Sequence, residues 1–297
     1  MIAANRCNMA KVISIIGAGV VGQAVGRMLR ERGYEIRGVV SRSIERAEKA
    51  AVFIGAGEPG VDPAKGASGA DWVLITTPDK AIRETCERIA RGKGFGKGSL
   101  AIHMSGALGS NVLEPAREAG AQALSIHPIQ SLASSEQAVK NLPGSYFSIE
   151  GDAGAIPDGK EIVEALGGLL VMIPGEKKAL YHAGAAVASN YLVAVLDFAV
   201  MIYEALGMKR EEAVKAVMPL IRGTVNNVER VGVPDALTGP IARGDVETVS
   251  GHIEALTKYL PEMLPLYKAL GRHTVSVGLR KGSLKEEDAD MLLKILD

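Results

Sequence analysis

Over the first half of the chain, short runs of Val, Ile, Leu and Ala alternate with segments whose apolar residues recur every three to four positions. After Pro174 and Gly175 only the longer period survives. The short runs predict strands over residues 12–16, 35–40, 72–76, 99–103, 123–126, 145–149 and 169–173. Helices between them end at Gly33, Gly120 and Gly167, where a glycine can take the left-handed backbone of a helix end. Strand and helix alternating in this way specify a parallel, doubly wound α/β sheet with crossover helices. Residues 55–69, rich in Gly, Pro and Ala, read as a loop with one short helix. Beyond them the periodicity predicts helices over 177–206, 210–230, 245–258 and 260–270, with more helix toward Asp297. The expected organisation is a flexible extension over 1–10, an α/β domain over 11–175 and an all-α domain over 176–297.

The first predicted strand breaks into Gly17-Ala18-Gly19-Val20-Val21-Gly22 and passes directly into a helical pattern. That setting makes the glycine spacing a dinucleotide fingerprint: Gly17 for the tight turn, Gly19 for close approach of a pyrophosphate, Gly22 for helix-on-strand packing. Amide N–H groups and the positive helix end near Val20 would hold the phosphates. About 20 residues past the fingerprint, an NAD-binding chain carries an acid for the ribose 2′-hydroxyl. Here the second strand ends in Val40-Ser41-Arg42-Ser43, with no acid. Arg42 offers a charged fork for a 2′-phosphate, and Ser41 and Ser43 stand beside it, so NADP is the expected cofactor. The alternative for this segment is that Ser43 caps the next helix and Arg42 is a solvated charge. Thr76, Thr77 and Pro78 end a later strand on the same edge and should face the nucleotide, unless they serve only to start the next helix.

With 47% hydrophobic and 23% charged residues, the 297-residue chain has ample material for a core, and its formal net charge is zero. Charge balance and 4% aromatics leave no footprint for nucleic acid, which directs attention to small molecules. Two cysteines, Cys7 and Cys86, without zinc-ligand spacing, fit a reducing cytoplasmic setting with no metal. The most apolar stretch, 183–200, is interrupted by Ser189, Asn190 and Asp197, so a buried helix is expected rather than a membrane span.

Two further strand ends are polar, His103-Met104-Ser105 and Ser125-Ile126-His127-Pro128. Both belong on the edge that carries the fingerprint, so His103, Ser105 and His127 are candidate proton donors and substrate contacts. A buried, hydrogen-bonded imidazole remains the alternative for each histidine. In the helical half, His182, Ser189, Asn190 and Asp197 fall within one stripe at about 100° per residue. His182 and Asn190 lie about 12 Å apart along such a helix, so Ser189 and Asn190 are taken for the substrate and His182 for a structural or dimer contact. Arg222 and Arg243 are candidate clamps for a substrate carboxylate or phosphate, and Asp245 reads as a helix cap.

The segments GAGVVG at 17–22, HMSGALGS at 103–110, HPIQSL at 127–132, ASNYL at 188–192 and LTGPIARGD at 237–245 resemble one branch of a superfamily. That superfamily holds phosphogluconate, hydroxyisobutyrate and prephenate dehydrogenases, ketopantoate reductase and pyrroline-carboxylate reductase. The branch is the Rossmann-like NADP oxidoreductases with an added helical domain of unknown function, and the resemblance spans nearly the whole chain. It implies a Rossmann domain plus a helical domain that builds a homodimer, with a small-molecule substrate. Several relatives place a catalytic Lys four residues before an Asn on the long helix, where this chain has Ala186 before Asn190. A histidine, a serine or water must then replace it. The expected activity is reduction of a small carboxylated carbonyl or imine by NADPH, a ketopantoate-like 2-keto acid being one form. A non-catalytic NADP-binding regulator and a deazaflavin-linked NADP oxidoreductase are the alternatives.

Overall fold

The computed structural model describes residues 11–297; the extension expected over 1–10 lies outside them. The elements follow in the order β1 (Val12–Ile16), α1 (Val20–Glu31), β2 (Glu35–Val40), α2 (Ile44–Ile54), β3 (Glu58–Gly60), α3 (Pro63–Ala67), β4 (Trp72–Ile75), α4 (Asp79–Arg91) and β5 (Leu100–His103). Then come α5 (Glu114–Glu118), β6 (Gln122–Pro128), α6 (Ser135–Asn141), β7 (Tyr146–Gly151), α7 (Ile156–Ala165) and β8 (Leu169–Met172). The eight strands form one sheet in the order β3-β2-β1-β4-β5-β6-β7-β8. Between β1 and β4 the strand order reverses, which opens a crevice beyond their carboxyl ends. The loop expected over 55–69 does contain a short helix, α3, which Asp62 caps by accepting from Ala64 and Lys65 amides, and it adds the edge strand β3.

Burial assigns the two sheet faces. Ile13, Ile15, Leu74, Ile102, Leu124 and Ile126 pack with residues of α1, α2, α6 and α7 on one side. Ile16, Val73, Ile75, Ala101 and Ala123 pack with residues of α3, α4 and α5 on the other. Cys86 belongs to that second layer, and burial pushes its thiol up to about 12, which makes it a packing residue.

One expectation needs correction: the sheet is not wholly parallel. β7 runs antiparallel to β6, and β8 runs parallel to β7. The link from β6 to β7, which holds the seven-residue α6, returns the chain to the end of the sheet it left.

After β8 the chain is helical: α8 (Lys178–Ala186), a π-helical turn (Val187–Tyr191), α9 (Leu192–Ala205), α10 (Arg210–Val231), α11 (Val233–Ala236), α12 (Val246–Tyr259), α13 (Leu264–Lys281) and α14 (Glu286–Leu296). Contacts divide the chain into one compact unit up to Ser189 and a second from Asn190 to Asp297. The division falls inside the long helix, beyond the change of texture near residue 175, because α8 is tied to the sheet. The second unit has its own apolar clusters. One joins α9 to α10 through Val200, Ala213 and Val217, and another joins α12, α13 and α14 through Val249, Val275, Leu292 and Leu296. Asp245 caps α12 by accepting from the Thr248 amide at 3.0 Å. The helix expected to be buried is largely exposed, at Val187, Tyr191 and Val193 among others, and the run from Gly175 to Ala205 is long and apolar enough to cross a membrane by length and composition. Its Lys178 is nevertheless bonded to Ser125 in the sheet, and its Asp197 is paired with Arg210.

Candidate active site

At the crevice, Gly17 turns the chain out of β1 with a φ of +110°, and a Cβ there would lie 2.6 Å from the Thr77 nitrogen. Only glycine fits. At Gly22 a Cβ would lie 2.4 Å from Thr76 Oγ1, which itself donates to the Gly17 carbonyl at 2.6 Å. The end of β4 is thus clamped on the fingerprint. Gly19, by contrast, has nothing within 4 Å of a Cβ position, and α1 begins there with no side-chain cap and no acid in its first turn. Amide donors and the positive helix end stand free over open space. Thr77 Oγ1 is buried on the same edge without a hydrogen-bond partner. An anionic nucleotide fits all three features. At the end of β2, Ser43 precedes α2 without accepting a capping bond, Glu45 stands in the first turn of that helix, and Arg42 is exposed. Ser43 thus does not cap α2, while the exposure of Arg42 fits a solvated charge as well as a phosphate contact. Ser41 donates its amide to the Gly60 carbonyl of β3 at 3.0 Å.

Beside this edge the sheet carries a polar cluster on the face whose deeper positions are Ala101 and Ala123. His103 pairs with Ser125 across β5 and β6, His127 pairs with Ser148 across β6 and β7, and Ser125 pairs with Glu150. Because side chains alternate along a strand, all five share one face. Lys178 descends on them from α8 and is 1% exposed, donating to Ser125 Oγ at 3.0 Å and Ser148 Oγ at 3.4 Å. Burial holds its ammonium down to about 8, against the opposing pull of Glu150 and Asp79. Glu150 is held in place by Ser110, whose amide and hydroxyl donate to it at 2.6 and 3.0 Å.

The sequence-predicted donors separate here. His103 is fully buried; its Nδ1 accepts from the Ser105 amide at 3.1 Å, so its proton sits on Nε2, which donates to the Gly109 carbonyl at 3.2 Å. Burial first and Lys178 second lower its pKa to about 4. Ser105 donates to Asp79 at 2.7 Å and accepts from the amides of Ala107 and Leu108 at 3.2 and 3.1 Å. Both residues are fully engaged in shaping the loop after β5, and neither has a donor to spare.

His127 differs. Tyr181 Oη lies 2.8 Å from its Nδ1, and with the phenol as donor the neutral ring keeps its proton on Nε2. Burial, then Lys178, His182 and His103, lower its pKa to about 3. A Cβ on Gly106 would lie 2.7 Å from Nε2 and 2.5 Å from His182 Nδ1, so only a glycine lets the loop after β5 pack this closely against both rings. His182, read from the sequence as a structural or dimer contact, has its ring 6.0 Å from that of His127.

Ser189 and Asn190 lie in the π-helical turn, which widens one turn and breaks the uniform 100° progression. The stripe His182–Ser189–Asn190–Asp197 is therefore not continuous: His182 stays with His127, and Asp197 pairs with Arg210. Arg222 on α10 and Arg243 after α11 are exposed in the second unit. Lys178 and Tyr181 were missed as site residues. The available signal was polar alternation in interior strands, Ser125 with His127 and Ser148 with Glu150, where a sheet covered on both faces is normally apolar. Among the described residues, no group of three His, Cys, Asp or Glu is placed to hold a metal ion.

Comparison with known proteins agrees with this architecture. Residues 4–128 match the Rossmann-like domain, and residues 145–274 match the domain of unknown function DUF2520. No curated protein matches the chain in sequence. Protein TM1727 from Thermotoga maritima is 27% identical with a TM-score of 0.70, over 92% of this chain and 99% of its own. BF3122 from Bacteroides fragilis, assigned as an NADP oxidoreductase, is 23% identical with a TM-score of 0.71, over 90% of this chain and 98% of its own. A pyrroline-5-carboxylate reductase from Coxiella burnetii is 20% identical with a TM-score of 0.59, over 94% of this chain and 100% of its own. The chain therefore joins a Rossmann-like domain to a DUF2520 domain.

Proposed function

We propose that this chain is an NADP-dependent oxidoreductase that reduces a small carboxylated carbonyl or imine, with His127 as the proton donor. The observation that carries the reading is the shared sheet edge. The free helix start at Gly19 and the orphaned Thr77 hydroxyl lie at the strand switch point, and the partly buried His127 lies at the end of β6. The names of structural neighbours support it: BF3122 as an NADP oxidoreductase, and a pyrroline carboxylate reductase from Plasmodium falciparum with NADP bound. When bound, NADPH would supply the hydride. Gly17 and Gly19 would hold its pyrophosphate, Thr76, Thr77 and Pro78 would border its ribose, and Arg42 would take the 2′-phosphate. The protein residues supply the rest. His127 donates from Nε2 to the heteroatom that gains charge, and His103 and Ser105 hold the adjoining loop. The deciding assay is NADPH oxidation by pure protein with a panel of 2-keto acids and cyclic imines. Tight NADPH binding without turnover of any member would make the chain a non-catalytic regulator.

Cofactor choice has its own test. Arg42→Ala is expected to weaken NADPH binding by about 10- to 100-fold through loss of a charge-assisted contact and to leave NADH unchanged. Equal loss for both nucleotides, measured by fluorescence titration, would remove Arg42 from the 2′-phosphate site. We also propose a soluble, cytoplasmic homodimer built by the helical unit, because Leu220, Val225, Val228 and Val231 are exposed along α10. Sedimentation equilibrium should give twice the chain mass, and a monomer at micromolar concentration would refute the assembly.

A further inference from the structure

The two edges of the sheet are built differently. β3, at one end of the strand order, is three residues long and reads Glu58-Pro59-Gly60, with its glutamate exposed. Such a strand is a protected edge, because it offers few free amides and sets a charge and a proline against an incoming chain. β8, at the other end, has no such protection. Residues 166–175 read LGGLLVMIPG, ten residues without a charge, and the strand runs Leu169-Leu170-Val171-Met172 before Ile173. Leu169 is 48% exposed on one face of the strand and Met172 51% on the other, and Tyr146, paired with Leu169, is 53% exposed. An apolar edge left open in this way is a template for another strand.

The backbone indicates which strand. Leu169 and Ile173 donate their amides inward, to the Ser145 and Ile149 carbonyls at 2.8 and 3.3 Å. In a parallel pair alternate residues point toward the neighbour, so Val171 also faces β7, and the N–H and C=O groups of Leu170 and Met172 face outward. Two outward residues flanking an inward one form a pattern that is its own complement under a two-fold rotation. With the axis normal to the sheet and passing beside Val171, a second β8 runs antiparallel to the first. Leu170 of each copy then meets Met172 of the other, and each such pair exchanges both of its N–H···O bonds. The remaining side chains meet as Val171 with Val171 and Leu169 with Ile173, so every cross-strand pair is apolar and no like charges oppose.

We propose that β8 is a docking edge for β8 of a second copy of this chain, the two sheets joining antiparallel about Val171 into one continuous sheet. A strand of any sequence would satisfy the amides, but the uncharged run and the two-fold register single out the chain's own β8. The pairing adds a second contact to the two-chain assembly proposed above, and it does not depend on the NADP reading.

The test is disulfide cross-linking of the full chain carrying Cys7→Ser, which leaves the buried Cys86 as the remaining native cysteine. Val171→Cys puts a thiol opposite its own copy, at a non-hydrogen-bonded position within disulfide reach. With Leu169→Cys the two thiols stand four residues apart along the pair, roughly 14 Å, which no disulfide spans. Under mild oxidation at micromolar protein, Val171→Cys should form a covalent dimer at least about tenfold faster than Leu169→Cys on non-reducing electrophoresis. Leu170→Pro removes an outward N–H and spares the inward ladder, and Met172→Lys sets a charge in an apolar pair. Each, added to Val171→Cys, should slow the cross-link at least about tenfold while the thermal unfolding midpoint holds. Equal rates at positions 169 and 171, no dimer at 171, or a cross-link indifferent to both added substitutions would overturn the pairing. A chain that sediments as a dimer yet gives no Val171 cross-link loses the strand pairing and keeps the helical contact.

Discussion

His127→Asn is expected to lower kcat by a factor on the order of 10² to 10⁴ while leaving the NADPH dissociation constant within about twofold of wild type. The split follows from position. His127 ends β6, two residues past the Ser125 that pairs with His103, whereas the phosphate end of the site is built from β1, α1 and the end of β4. Asparagine can still accept from Tyr181 through its side-chain oxygen, so the phenol is not orphaned and the loop after β6 should hold. What disappears is the Nε2 donor. Stopped-flow or steady-state NADPH oxidation measures kcat, and fluorescence titration measures binding. An unchanged kcat would transfer the donor role to water. An equal loss of kcat and nucleotide affinity would mean that His127 shapes the cofactor site.

His103 should contribute to the acid sensitivity of the first unit together with His127. Its folded pKa is depressed from 6.5 to about 4, chiefly by burial. The unfolded chain therefore takes up a proton near 6.5 while the folded chain declines it, so stability is full above 6.5 and is lost as pH falls toward about 4. Over that window the loss from His103 is on the order of 3 kcal/mol, and His127 adds a loss of the same sign. His103→Asn should be less stable than wild type at neutral pH by about 2–4 kcal/mol, because two buried backbone groups lose partners, yet show a shallower acid limb. Denaturant unfolding at pH 7 and near pH 4.5 provides the comparison. A variant with the same acid slope as wild type would show that His103 is protonated, or exposed, in the native state.

The nucleotide edge was legible because its residue types admit one explanation. Gly17 needs its positive φ, Gly22 touches Thr76, and the strands around them are too apolar and too short to be anything else. The long helices were legible from their period, and even Asp245 declared itself as a cap. Lys178 was not, since a lysine at the start of a helix ordinarily points to solvent. Its partners lie 53 and 30 residues away in sequence, on strands brought together only by the fold. His182 and Asp197 were misgrouped for a different reason: a helical wheel assumes constant pitch, and the π-helical turn at Val187–Tyr191 interrupts it. The antiparallel β7 was hidden because pattern shows that a strand exists but not its direction.

That reversed strand has a consequence for how the molecule tolerates change. Ser148 and Glu150 reach the Lys178 side only because β7 pairs with β6 in one register, His127 against Ser148 and Ser125 against Glu150. A single residue inserted early in β7 would flip both side chains into the layer of Leu124, Ile126 and Phe147, while the glycine turn and the crevice remain untouched. Length variation that a surface loop would absorb is here a switch between a protein with a complete polar cluster and one that keeps only its nucleotide edge.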